Sequence, residues 1–307
     1  MGFFSGLWDV LTTASLYGSL TRFAVFLAFA AVGEWVAERA GTLNISVEGM
    51  ALVGAFAAVA GSDATNSVAG GLAFGMAFAM LLAFVQANLS HRLTANQFVV
   101  GLALNVLALG VTSFLLEETD LEVTPAGRVP GASHLPGVLD DIFNQRWTAY
   151  LIIPAVAMCW WLMFRTMWGL EARSVGENPQ SADVSGIHVN RRRRQAIYVC
   201  GAMCGLAGAY LALDGPGFSR GMTGGRGFIA IAAVIFGGWT LRGTLAGCVL
   251  FGGVEAMGLV VQRLQLDVNL QFLQAAPYLA TLVVMAIFAK RTRQPRALAQ
   301  PFVRGLT

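Results

Sequence analysis

Apolar runs close to the length of a bilayer-spanning helix recur along nearly the whole chain, at about residues 16–37, 43–60, 67–89, 96–116, 147–164, 195–213, 227–238, 243–261 and 270–289. A helix needs roughly 20 such residues to cross the hydrocarbon, and in lipid each backbone N–H and C=O must find its partner within the protein. The expected fold is therefore an all-α, polytopic membrane protein with about nine to ten transmembrane helices. Hydrophobic residues make up 56% of the chain and charged ones 12%, which leaves no stretch for a soluble domain, so residues 1–307 read as a single transmembrane domain in the lipid bilayer. Two runs are irregular. Residues 43–60 carry Asn44, Glu48 and Gly49, and 227–238 is short and flanked by Gly224, Gly225, Gly227, Gly237 and Gly238. Both are expected to be broken or partly unwound helices.

Only two long polar stretches interrupt this pattern. The first, Gly169 to Asn190, runs directly into Arg191, Arg192, Arg193 and Arg194, which marks its side as cytoplasmic. Asn178-Pro179 opens a turn, Gln180 to Val184 is a helical run of mostly small residues and Gly186 stops it, so a short helix presented to the cytosol is expected within residues 169–194. Alternating sides from this anchor puts the C-terminus inside and the N-terminus outside. Arg39, Arg92, Arg165, Arg173, Arg191 to Arg194, Arg242, Lys290, Arg291, Arg293, Arg296 and Arg304 then fall inside, and Arg22, Arg128, Arg146, Arg220, Arg226 and Arg263 outside, a 14 to 6 bias of the expected sign. The N-terminus, without a basic leader or cleavage site, reads as retained. The second interruption, 117–146, faces outward; its six carboxylates and three prolines suit either a docking loop for a soluble binding protein or a plain solvated loop. Under this topology the two irregular runs point in opposite directions, as in an inverted repeat.

Several functions are disfavoured by the residues present. The basic side chains, 19 of 20 arginine, sit at the ends of apolar runs and do not form a nucleic-acid-reading face. GMTGGRG at 221–227 lacks the lysine of a phosphate loop, so nucleotide hydrolysis belongs to another chain. Cys159, Cys200, Cys204 and Cys248 lie in apolar runs as packing residues without metal partners, His91, His134 and His188 read as loop residues, and no nucleophile–base set is visible for an intramembrane enzyme. Trp147, Trp160, Trp161, Trp168 and Trp239 lie near span ends and read as interfacial anchors.

Polar residues inside apolar runs are costly and mark either a solute path or interhelical bonding. Glu48 and Asn44 share a helix face; Glu48 lines a path or gate, or is a polar lock between helices. Asn105 lies near mid-span, where its amide pairs with a neutral solute or with a neighbouring helix. Glu255, Gln271 and Gln274 either line an outward vestibule or bond between helices.

ERAGTLNISVEGMALVGAFAA (38–58), NQFVVGLALNVLALGVTSFL (96–115), WGLEARSVGENPQSADVSGI (168–187), GRGFIAIAAVIFGGW (225–239) and RALAQPF (296–302) together resemble the permease subunits of ATP-binding-cassette importers, specifically the nucleoside and simple-sugar branch related to branched-chain amino acid permeases. Ser46 stands where many relatives have glycine. The resemblance implies a type II importer permease fold in a plasma (inner) membrane and alternating access driven by a cytosolic ATPase subunit. It also implies a second permease subunit, a paralogous chain in preference to an identical one, and an extracytoplasmic solute-binding protein or lipoprotein. ATP and Mg are expected on the ATPase, and no cofactor on this chain. The loop Val175, Gly176, Glu177, Asn178, Pro179, Ala182, Asp183, Gly186 is implied to dock the ATPase, with Glu177 and Asp183 as polar contacts. Branched-chain amino acids remain an alternative cargo, and an ATP-independent channel or carrier an alternative class.

Overall fold

A computed structural model describes residues 12–119, 127, 138–215, 217–263, 279, 282 and 294–303. Its helices are α1 (Ala14–Arg39), α2 (Val47–Thr65), α3 (Val68–His91), α4 (Gln97–Glu118), α5 (Val138–Phe143), α6 (Trp147–Tyr150), α7 (Ile152–Arg165), α8 (Met167–Glu177), α9 (Pro179–Val184), α10 (Val189–Asp214), α11 (Arg226–Phe236) and α12 (Leu241–Arg263). Seven stretches among the described residues are long and apolar enough to span, with 147–165 counted as one, and α11 is a shorter apolar helix. Of the nine apolar runs, eight correspond to these elements, and 270–289 lies outside the described residues apart from residues 279 and 282.

The bundle is organised around α1, whose middle and C-terminal turns are fully buried from Phe26 to Ala37, apart from the slightly exposed Ala28 and Phe29. One side of α1 packs on α10, which in turn packs on α2 and α3; another side packs on α11 and α12. In contrast, α3, α4 and α7 present Phe78, Phe84, Val106, Phe114, Ile153 and Trp161 outward, apolar side chains suited to lipid.

Where α2, α3 and α10 cross, glycines let backbones touch. A Cβ on Gly54 would lie 2.7 Å from Gly205 Cα, and one on Gly205 would lie 2.7 Å from Met76 Cα. Lipid offers no hydrophobic drive between helices, so such close contact is where association energy comes from. Gly205→Val is expected to destabilise the bundle by about 1–3 kcal/mol or more, read as a lowered thermal midpoint in detergent. Gly110→Ala, where a Cβ meets nothing within 4 Å, is expected to leave the midpoint unchanged.

The two ends of the bundle differ chemically. At one, the C-termini of α1, α3 and α7 meet α8, α9, the arginine run that opens α10, and residues 294–303. At the other, Arg22 and Arg146 flank Asp214 at 3.5 and 3.4 Å, and Arg220 pairs with Glu117.

Candidate functional site

The chain does not pass directly from α1 to α2. Residues 40–46 turn back into the protein without helical structure, so that the Asn44 N–H donates to Glu34 Oε1 (2.9 Å), five residues, roughly 7.5 Å, before the end of α1. Side chains satisfy this stretch, as irregular backbone at membrane depth requires. Gln97 Oε1 accepts from Leu43 N–H (2.9 Å) and from the Thr42 hydroxyl, which also bonds His91. Asn44 Oδ1 accepts from Ser46 N–H and Oγ, and its Nδ2 donates to Met50 Sδ and Cys200 Sγ. The break therefore lies at 40–46, ahead of an intact 19-residue α2.

Asn105, in the middle of α4, clamps the start of α2. Its Nδ2 donates to the Ile45 carbonyl at 2.9 Å and its Oδ1 accepts from Gly49 N–H at 2.7 Å. Both halves of the amide are thus used on backbone that has no helical partner. Asn105→Leu keeps the volume and leaves those two groups unpaired, an expected cost of about 1–3 kcal/mol, measurable as a thermal shift.

Glu48, in the first turn of α2, reaches the start of α11. Its two oxygens accept from Gly225 N–H (2.7 Å) and Gly227 N–H (2.6 Å), so one carboxylate caps the positive end of a helix 177 residues away in sequence. Gly225 supplies the left-handed turn (φ 83°), and a Cβ on Gly227 would fall 2.6 Å from Glu48 Cα, which is why this approach needs glycine. Beside it, Arg226 donates to Glu255 Oε1 at 2.6 Å and lies over the Phe23 ring. Two helices that begin inside the bundle, α2 and α11, therefore meet at their N-termini around Glu48. From there α11 descends toward the arginine end, where Trp239 closes it in a left-handed conformation (φ 56°). The Trp239 carbonyl accepts from Trp35 Nε1 at 2.9 Å and its own indole donates to Glu38.

The structure thus gathers Glu48, Asn105 and Glu255 around one junction. Asn44 lies in a separate buried cluster with Glu34, Ser46 and Cys200, and Gln271 and Gln274 fall outside the described residues. Sequence reading overlooked Glu34 and Glu38, both fully buried one turn apart on α1, although two carboxylates in an apolar run were signal enough. It also took Trp239 for a surface anchor and His91 for a loop residue; both are buried, and His91 ends α3.

At the arginine end, Thr166 caps α8 through Gly169 N–H, and Asn178 caps α9 through Ser181 N–H with Pro179 in the first turn. Gly186 (φ 84°) follows the last turn of α9. Of the loop residues singled out in the sequence, Val175, Gly176, Pro179 and Ala182 are buried beneath this element. Asp183 is half-buried, and Glu177, Asn178 and Gly186 face outward, with Glu177 3.9 Å from Arg39. The most exposed large apolar side chain here is Val184, at 90%. Beneath lies the segment 294–303: Ala297 N–H donates to the Gly176 carbonyl, Ala299 N–H to Gly41, and Phe302 packs with Val175, Ala182 and Val189. The arginine run fans out to hold these parts together. Arg192 pairs with Glu171 of α8, the fully buried Arg193 donates to the carbonyls of Gln300 (2.6 Å) and Ala297 (3.2 Å), and Arg194 donates to Asn88 of α3. From sequence, this run marks the cytoplasmic side and holds the base of the next helix at the membrane face; the separate partners of its arginines are visible only in the fold.

Comparison with known proteins shows the family. Residues 16–289 match the family described as branched-chain amino acid transport system / permease component. A Haloferax volcanii protein provisionally named a glucose ABC transporter permease protein is 34% identical over 95% of this chain and 98% of its own length. The guanosine ABC transporter permease protein NupQ of Bacillus subtilis is 32% identical over 92% of this chain and 94% of its own, and NupP of the same organism is 26% identical over 82% and 76%.

Proposed function

Because the chain belongs to the branched-chain amino acid transport system / permease component family, we propose that it forms one transmembrane half of an ATP-driven importer for nucleosides or simple sugars. The observation that carries this reading is the α8–α9 platform, a pair of short capped helices that projects Val184 into solvent yet is fastened to α1, α10 and the segment 294–303. Such an element transmits a push only if an external motor supplies it, and this chain has no phosphate loop. ATP and Mg would act on a separate cytosolic ATPase, with the platform and the C-terminus facing that side and the N-terminus outside.

In this reading Glu48 and Asn105 do not chiefly hold solute. Their oxygens and amide are spent on backbone, so they fix where α2 and α11 meet, and a change in that meeting alters access from one side to the other. Names of the guanosine and glucose relatives support a neutral polar cargo. The two Bacillus guanosine permeases support pairing with a second, non-identical permease chain, and an external binding protein or lipoprotein would deliver the solute.

The test is uptake into proteoliposomes holding this chain, its second permease and its ATPase, with the binding protein added outside. Radiolabelled guanosine or glucose is expected to accumulate only with ATP and Mg on the ATPase side. Accumulation of leucine alone would move the cargo to amino acids, and uptake by this chain without ATP would defeat the importer reading.

A further inference from the structure

The outward face of α7 is an apolar strip that ends at two arginines. Ala155, Cys159 and Met163 line the buried side of the helix, while Ile153, Met158, Trp161 and Phe164 point away from the bundle. Thr166 then turns the chain into α8, whose buried side is Gly169, Ala172, Val175 and Gly176. Its other side carries Met167, which is 72% exposed, then Leu170 and Arg173, each one turn further on. A short helix with one buried side, an apolar edge and an arginine beside that edge suits the membrane surface, where the edge dips among the acyl chains.

Both arginines are positioned by aromatic rings. The Arg165 guanidinium lies 5.5 Å from the Trp160 ring centroid, that of Arg173 lies 5.0 Å from the Phe164 centroid, and the two rings are 6.4 Å apart. Arg173 Nε also donates to the Gly169 carbonyl at 3.2 Å. Neither arginine forms an ion pair among the described residues, because the carboxylates of α8 are committed elsewhere, Glu171 to Arg192 and Glu177 toward Arg39. Two positive charges therefore stand at the level of Trp160 and Trp161, exposed aromatic side chains of the kind that mark headgroup depth.

The strip argues for lipid over protein as the occupant, since it continues from the part of α7 that lies along the hydrocarbon. The charge argues for an anionic lipid: a phosphate matches the guanidinium fork, and a choline headgroup would bring a further cation to a site that already holds two. We propose that the α7–α8 corner binds an anionic phospholipid, its phosphate at Arg165 and Arg173 and its chains along Trp161, Met167 and Leu170. The lipid fastens α8 to the membrane. Its consequence, that the platform drives the spans only when anionic lipid is present, rests on the importer reading; the lipid site itself does not.

The purified full chain in detergent is offered equal amounts of phosphatidylglycerol and phosphatidylcholine, and retained lipid is counted by native mass spectrometry. The wild type is expected to keep phosphatidylglycerol about tenfold in preference. That preference should fall to about twofold or less in Arg165→Gln/Arg173→Gln, and also in Met167→Glu, which leaves both arginines in place and puts a carboxylate on the apolar edge. Arg92→Gln/Arg242→Gln removes the same charge from exposed positions on α3 and α12 and should keep the wild-type preference. Circular dichroism and thermal midpoint identify a corner variant that fails to fold, and the other then decides. No preference in the wild type, an unchanged preference in a folded corner variant, or an equal loss in Arg92→Gln/Arg242→Gln overturns the site. An unchanged preference together with loss of ATPase co-purification would give the corner to the motor and likewise overturn it. ATP-independent uptake in the liposome assay would sink the importer reading while leaving the lipid result standing.

Discussion

Replacing Glu48 with alanine is expected to reduce ATP-driven uptake more than tenfold while leaving the chain inserted. The carboxylate holds two backbone N–H groups at the start of α11, and bonds to a charged group are worth about 1.5–3 kcal/mol each. Relaxation and water will recover part of that, but about 1.4 kcal/mol lost from the competent arrangement already means a factor of ten. Glu48→Gln keeps one carbonyl-type acceptor for the pair, so an intermediate loss is expected. Gly227→Ala probes the same contact from the other side, because its Cβ has to displace Glu48, and should resemble Glu48→Ala. A different pattern belongs to a solute ligand: Glu48→Ala would then raise the half-saturating concentration, and Gly227→Ala would do little.

The second large effect is expected at Arg193. Methionine there preserves much of the volume and removes both donors, leaving the Gln300 and Ala297 carbonyls buried without their cation. Segment 294–303 should come away from α8 and α9, exposing the site filled by Phe302 among Val175, Ala182 and Val189. ATP hydrolysis by the assembled complex should continue while uptake falls by a factor of ten or more, and a protease should cut near residue 300 that spared the wild type. Arg193→Lys offers a point charge in place of a fork and cannot span two carbonyls as well, so only partial recovery is expected. Full coupling in Arg193→Met would show that the tail is no part of the platform.

These two residues also mark where sequence reading stops. Spans, the short glycine-flanked helix at 227–238 and the capped turn at Asn178-Pro179 follow from apolar length and from glycine, proline and asparagine chemistry, which act locally. The breaks expected within 43–60 and 227–238 are absent: α2 and α11 are continuous and the irregular backbone lies at 40–46. That Glu48 caps α11 does not follow, because nothing local in LNISVEG specifies a partner 177 residues on. Asn105 was legible as a polar residue at mid-span, while its use on Ile45 and Gly49 depends on how α4 crosses α2. The four arginines were read by their charge alone; their separate targets, Glu171, the tail and Asn88, depend on helical rotation, which spreads adjacent residues 100° apart around α10. Glu34 and Glu38 could have been found from their cost in an apolar run, but Trp239 as a partner could not.

The claim beneath all of this is that the α8–α9 platform faces the compartment that holds the motor. Ser181 is exposed at its tip, and the four native cysteines are buried, so Ser181→Cys offers a single reactive thiol among the described residues. With an impermeant maleimide, labelling is expected in inside-out vesicles, absent in intact cells and diminished once the ATPase is bound. Labelling of intact cells from outside would contradict the account.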